Sequence, residues 1–395
     1  MTHDTRFTIF HVADTHLGFH TYTKVDPVTG LNQREEDVKK VFREFIDIVV
    51  KERPQLVIHA GDFFDNVRPT NRVIAYAMEQ LKRATDIGIK FIIIAGNHET
   101  PTRREIGSVF KIIQFLPNVH LFYEPKLEYV TFPEWSLRVA CIPHCPATSS
   151  KTSRELWEHE IQKIHYDDKY IWNFAVFHGL VEGFTNYSPE FNEMMINSAF
   201  FPENFDYYAL GHYHAYTKVP GRNNIYYAGS TEYFSFGESN SKKGFIALEL
   251  ENKRDRDKQE KQMKITFREL HPREMIDIGV LDYKLLGAKF SDTLMKTIGE
   301  TNMKDKIVRL RLENLPREVY HSLDFKKIRD LTSTALHFQL DKKFIEEPHP
   351  FQSSEKIGFE TLTEEFDRFI DQQPLTSKIN KEELKKRGKE YLKNI

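Results

Sequence analysis

Three short apolar runs near the start of this chain each stop at a cluster of residues suited to holding metal or phosphate. They are residues 7–12 (FTIFHV) before DTH, 55–60 (QLVIHA) before GDFFD, and 89–95 (IKFIIIA) before GNHE. Runs of this length and composition read as buried strands. Between the first two, Val38, Val41, Phe42, Phe45, Ile46 and Val49 recur at three- and four-residue spacing, which predicts an amphipathic helix. A second helix is expected over residues 70–84. Strand–helix–strand alternation implies parallel pairing with helices covering the sheet. Open sheets of this kind offer ligands at the carboxyl ends of their strands. The pattern therefore predicts a layered α/β sandwich whose polar loops converge on one rim.

Further strands are expected at 127–132, 137–142, 171–178, 206–210, 225–228 and 244–250, closing a first domain over residues 1–250. The run ENKRDRDKQEKQ carries mixed charges and reads as a solvated loop or hairpin tip. Residues 271–343 then alternate strand (MIDIGVLD), helix, strand (KIVRLRLE), helix and strand, a small α+β capping domain. A linker, EEPHPFQSSEK, leads to two amphipathic helices at about 359–373 and 379–394. A formal charge of −2 excludes a chain-wide basic surface, so any grip on nucleic acid must be local. Only Cys141 and Cys145 occur, which excludes a disulfide framework and a paired zinc motif. No apolar run approaches the ~20 residues of a membrane span, and the start lacks the layout of a secretion signal. A cytoplasmic protein is expected.

The chemistry-bearing segments are DTHLG (Asp14, His16), GDFFD (Asp62, Asp65), GNHE (Asn97, His98, Glu99), FHG (His178) and GHYH (His212, His214). Each follows a predicted strand. An imidazole, carboxylate and amide set without thiolates suits manganese or another first-row ion better than a structural zinc site. The donors exceed what one ion needs, which points to two divalent ions. Asp62 can bridge them, because a carboxylate has two oxygens. The glycines in GD, GN and GH would let the chain turn sharply and bring backbone close to a phosphate.

The segments DTHLG, GDFFDNVRP, AGNHE, FHG, ALGHYH and AGSTEYFSFGE are similar to those of the calcineurin-like metallophosphoesterases. More narrowly, they resemble the SbcD-like family, the nuclease subunit of double-strand-break repair. That resemblance implies one ion held by Asp14, His16, Asp62 and His214, and another by Asp62, Asn97, His178 and His212. It places His98 beside the ions without binding them, ready to protonate the leaving oxygen. Asp65 stands where archaeal and eukaryotic relatives carry a histidine, and is a candidate substrate contact.

The implied activity is that of a manganese-dependent DNA phosphodiesterase, exonuclease and endonuclease, in which two ions activate a water for in-line attack. The implied partners are DNA ends, an SbcC-type coiled-coil ATPase docking on residues 359–395, and a second copy of the chain. Together these would make a heterotetramer at the nucleoid. The homodimer would form through a helix over residues 105–116 (EIGSVFKIIQFL), whose apolar stripe is wider than one core-facing side requires. Arg309, Arg311, Lys326, Lys327 and Arg329 of the cap would guide DNA by its phosphates. A phosphatase of the same superfamily would typically carry VDRG after the bridging aspartate, where this chain has FFDNVRP. An end-binding scaffold would show a degenerate site, and none of the expected ligands is missing.

Overall fold

Helix α1 (Gln33–Glu52) follows strand β1 (Thr5–Val12) and begins where Asn32 accepts hydrogen bonds from Arg34 N and Glu35 N. That cap satisfies amides no helical carbonyl can reach. Strand β2 (Leu56–His59) follows, then α2 (Asn71–Thr85), capped by the Thr70 side chain, and β3 (Lys90–Ile94). A single-turn helix, α3 (Phe110–Ile113), precedes β4 (Val119–Phe122). Strands β1 to β4 pair in parallel, in sequence order. The chain is described here from a computed structural model, over residues 5–101, 106–182, 195–255, 258–345, 362–372 and 380–392. It forms two compact units, Met1–Lys343 and Phe344–Ile395.

Side chains alternate across these strands, so each one serves two cores. Phe10, Val12, Val57, Phe91 and Ile93 pack with α1 and α2, and all six apolar positions expected of α1 are buried there. Phe7, Ile9, Leu56, Ile58, Ile92 and Ile94 face a second sheet. That sheet is built from β5 (Glu128–Phe132), β6 (Leu137–Ile142), β7 (Trp172–His178), β10 (Tyr207–Gly211), β11 (Thr217–Lys218) and β12 (Ile225–Tyr227), in the order β11-β12-β10-β7-β6-β5. A two-residue ladder, β8 (Leu180–Val181) with β9 (Met195–Ile196), sits beside it, and α4 (Ser153–Ile161) brings Trp157 and Ile161 into the same core. Strands β6, β7, β10 and β12 are parallel. The expected layered α/β sandwich is the observed one: two sheets face to face with helices outside.

Of the two readings of the charged run after residue 250, loop or hairpin tip, the second holds: it forms the outer part of a hairpin. Strands β13 (Gly244–Asp255) and β14 (Lys258–Glu269) form an antiparallel hairpin, each twelve residues long, that adds two strands to the first sheet. Lys253 stands opposite Glu260 in the register, so mixed signs support pairing.

The cap contains β15 (Met275–Asp282), α5 (Tyr283–Leu286), α6 (Phe290–Glu300), β16 (Ile307–Leu315), α7 (Arg317–His321), α8 (Phe325–Thr332) and β17 (His337–Phe344). Its sheet has the order β15-β16-β17. Arg273 joins it to α1 through a two-pronged pair with Asp37, both contacts at 2.7 Å. Tyr22 stacks on His337 at 3.8 Å, and Phe236 packs with Met275 and Ile307. The five cap cations stand in two settings. Arg309 and Arg311 both pair with Asp277, at 2.7 and 3.3 Å, and Arg309 also lies over the Phe236 ring. Lys326, Lys327 and Arg329 stand exposed on α8, which buries Ile328 and Thr332 instead.

The helix expected over 105–116 is reduced to the single turn of α3. Gly107, at φ 68°, breaks the helical path just before it. Val109, Phe110 and Ile113 are buried, whereas Ile112 is 47% and Phe115 79% exposed.

In the second unit, α9 (Leu362–Gln372) and α10 (Lys381–Leu392) pack as a pair. The Phe366 ring occupies the space beside Gly388, where a methyl group would collide with it. Lys385 pairs with Asp371 at 2.6 Å, and Lys389 with Asp367. Phe369, Leu384 and Tyr391 remain exposed. The linker and the apolar positions Phe359 and Ile379 lie outside the described residues. Among the described residues, no helix is long and apolar enough to cross a membrane.

Candidate metal centre

The strands β1, β2, β3, β7 and β10 deliver their polar loops to one rim, and the backbone there is unusual. Asp14, His16, Asp62 and His212 adopt left-handed φ values of 52°, 43°, 53° and 89°. Such conformations cost about 1–3 kcal/mol each in side-chain-bearing residues. Ladders between the loops hold them: Asp14 N donates to Gly61 O at 3.0 Å, His16 N to Asp62 O at 3.0 Å, and Leu17 N to Phe63 O at 2.9 Å. His212 N donates to both Asp14 carboxylate oxygens, at 2.9 and 3.1 Å. His98 N donates to Asp62 Oδ1 at 3.0 Å.

The glycines serve this convergence. A methyl group on Gly61, which sits at φ 93°, would fall inside the His178 ring. One on Gly96 would strike the Asp62 carboxylate and amide. The glycines thus let the ligand loops approach one another.

Two donor groups result. In the first, His178 Nε2 lies 3.1 Å from Asp62 Oδ2 and 3.0 Å from Asn97 Oδ1, and His212 Nδ1 lies 2.9 Å from Asn97 Oδ1 and 3.2 Å from His178 Nε2. In the second, His16 Nε2 is 3.3 Å from His214 Nε2 and 3.8 Å from Asp62 Oδ2, with Asp14 in the same cluster. Asp62 touches both groups. The GHYH histidines diverge because β10 ends at Gly211 and His212 is left-handed, so one ring joins each group.

The donors fit a pair of divalent ions. They are oxygens and imidazole nitrogens without thiolate, the set that first-row divalent ions accept. Two of the imidazoles are also fixed from behind. His178 Nδ1 donates to Ala60 O at 2.8 Å, and His214 Nδ1 donates to Glu238 Oε1 at 3.1 Å. Each bond leaves Nε2 with its lone pair toward the cluster, as ligation demands.

Electrostatics agree with a charge-gathering site. Burial disfavours a charged Asp62, but His178, His16 and His98 together hold its carboxyl well below the usual range. Burial likewise opposes charge on His178, yet Asp62 and Asp14 lift its imidazole to about 9. Burial and the nearby His178 keep His212 neutral, with its pKa far below the ordinary value.

His98 is 41% exposed on its side chain and lies edge-on to His16, ring centroids 4.5 Å apart. Its Nδ1 donates to Asp65 O at 2.7 Å, which leaves Nε2 for other partners. It also falls within ligand range of His16 and Asp62. The Asp65 carboxylate stands 3.4 Å from His16 Nδ1 and 3.8 Å from His98 Nδ1, between the two rings. With Asp62, Asn97, His212 and His214, His98 lines a cleft of about 540 Å³.

Glu99 and Glu238 entered the sequence reading only as members of motifs, and Lys243 not at all. Glu99 is fully buried, and its Oε1 accepts from Phe63 N at 3.1 Å and Gly96 N at 3.0 Å. It clamps the GDFFD loop to the GNHE loop. Glu238 and Lys243 form a buried pair at 2.6 Å behind His214. The signal for Glu238 lay in the SFGE segment and Lys243 stands five residues beyond it, but nothing local says which side chain turns inward.

A sequence model of the family described as calcineurin-like phosphoesterase matches residues 7–216, more than half of the chain and the whole stretch from Asp14 to His214. The "DNA double-strand break repair protein Mre11" of Methanococcus maripaludis is 32% identical over 233 residues, covering 58% of this chain and 58% of that protein. The Sulfolobus acidocaldarius protein of the same name is 31% identical over 254 residues, covering 61% and 60%. The "Uncharacterized metallophosphoesterase YhaO" of Bacillus subtilis is 25% identical over 254 residues, covering 63% and 58%. The matches thus span under two thirds of these relatives' own lengths. With that match over four strands of each sheet and all the clustered donors, the chain belongs to the calcineurin-like phosphoesterase family.

Proposed function

We propose that this chain is a metal-dependent DNA nuclease, exonuclease and endonuclease on DNA ends, acting in double-strand-break repair. The observation that carries the reading is the pair of donor clusters sharing Asp62 at the floor of an open cleft, joined to the resemblance to proteins named for that repair. Asp14, His16, Asp62 and His214 would hold one ion, and Asp62, Asn97, His178 and His212 the other, manganese being the preferred metal. Bound there, two such ions would supply Lewis acidity and a nucleophile of lowered pKa.

The rest is the work of the chain's own groups. Gly61 and Gly96 let the loops close so that the donors converge. Ala60 O and Glu238 hold two imidazoles in the ligating tautomer. His98 keeps Nδ1–H on Asp65 O, so Nε2 is the atom that carries a proton to the departing oxygen. The Asp65 carboxylate faces His16 and His98 together, and contacts substrate through the latter's edge of the cleft.

Digestion of end-labelled linear and hairpin DNA tests the reading. Cleavage with manganese, little with magnesium and none with chelator is expected. Cleavage that survives the chelator, or hydrolysis of phosphomonoesters with intact DNA, would overturn it.

The partners belong to the same proposal. Exposed Ile112 and Phe115 offer a patch to a second copy of the chain, as the family resemblance implies. The α9–α10 pair, with exposed Phe369, Leu384 and Tyr391, suits helix-in-groove docking on an SbcC-type coiled-coil ATPase. Light scattering should give a dimer for the chain alone and a heterotetramer with the ATPase. Phe115→Lys should abolish the first association, and deletion of residues 359–395 only the second. A monomer at micromolar concentration, or ATPase binding by the truncated chain, would refute the corresponding surface.

A further inference from the structure

Two imidazoles of the metal centre are held from behind, by different kinds of acceptor. His178 leans on a backbone carbonyl, that of Ala60. His214 leans on the carboxylate of Glu238. A carboxylate behind a ligating imidazole fixes its tautomer and orientation and makes it a stronger base, which a neutral carbonyl does less well.

Glu238 is itself tightly placed. Ser235 Oγ donates to its Oε1 at 3.0 Å, so that oxygen serves both the serine and His214 Nδ1. The other oxygen accepts from Lys243 Nζ at 2.6 Å, with Phe234 N and Ser230 Oγ at 3.4 Å. The Lys243 ammonium, on a fully buried side chain, also donates to His214 O at 2.9 Å and Ser230 Oγ at 2.7 Å. One buried cation thus grips the backbone of the ligand and the carboxylate that aims its ring. A buried charged pair is costly unless fully hydrogen-bonded, and this pair is saturated with partners. Phe234, in the same segment, packs against both the His16 and His214 rings, at 4.6 and 5.4 Å between centroids.

We propose that Glu238, anchored by Lys243, is the positioning residue for His214, and that it sets the affinity of one ion position without setting the other. The proposal rests on the two-ion reading given above. The position built from Asp14, His16 and His214 depends on this carboxylate. The position built from Asn97, His178 and His212 does not, because its oriented imidazole uses Ala60 O.

Manganese titration of the full-length protein by calorimetry, with the electron paramagnetic resonance spectrum recorded alongside, tests this. The wild type should take up two ions and show the spectrum of an exchange-coupled pair. Glu238→Ala should weaken one ion by about 10–100-fold and leave the other unchanged. At low metal it should therefore show the pattern of isolated ions. Glu238→Gln, which keeps an acceptor oxygen but loses the charge, should fall between them. The readout is the ratio of the two affinities, which a general loss of stability leaves unchanged. If Glu238→Ala fails to fold, the ratio in Glu238→Gln decides. A wild-type ratio in the folded variants overturns the positioning role alone. A wild type that binds one ion or none overturns the two-ion reading, and this proposal with it.

Discussion

Replacing His98 by alanine should lower DNA cleavage by about 10²–10⁴-fold, the usual contribution of a positioned proton donor, while both ions still bind. The argument is geometric. His98 is anchored through its backbone amide to Asp62 Oδ1 and through Nδ1 to Asp65 O; only the first bond touches a donor of the clusters, and it does not use the side chain. The amide survives in alanine, so the GNHE loop should keep its path. The imidazole is half-exposed at the cleft, so its removal opens no cavity in either core. Single-turnover digestion with manganese, beside a metal titration, checks both halves. Full cleavage rate in His98→Ala would remove this residue from the chemistry. Loss of an ion would make it a ligand, a role its distance to His16 and Asp62 also permits.

Asp62→Ala should do more: neither ion should bind at wild-type affinity, and cleavage should fall to the level of chelator-treated protein. Asp62 is the residue that both donor groups share, 3.1 Å from His178 Nε2 and 3.8 Å from His16 Nε2. Its other oxygen holds the amide of His98. It is also the main counter-charge for His178, with Asp14 the lesser one. An unsatisfied buried group typically costs about 1–3 kcal/mol, so a lower melting temperature should accompany the loss. Calorimetry showing two tightly bound ions in Asp62→Ala would refute the bridging assignment.

The sandwich was legible because its signals are local. The short apolar runs of β1, β2 and β3 announce buried strands, and the three- and four-residue spacing in α1 announces the stripe that covers one face of their sheet. The cap strand expected at MIDIGVLD spans Met275–Asp282 as observed. One local reading needed revision and one open choice was decided. The 105–116 helix shrinks to one turn after Gly107. The charged run after residue 250 is the hairpin tip and not the loop, because each strand's partner satisfies its backbone whatever its side chains prefer.

By itself the sequence determined which residue types stand at the ends of which strands, and so that a thiolate-free, oxygen- and imidazole-rich rim would form. Short-range periodicity suffices for that, since each loop begins where its own apolar run stops. Only the tertiary structure decided which donors gather with which. His16 and His214 are 198 residues apart in the chain and 3.3 Å apart in space, a proximity set by the order of strands in two different sheets. The same holds for Glu99 between two loops and for Glu238 and Lys243 behind His214. A buried polar group is stable only where distant segments supply its partners, and no window of sequence contains them.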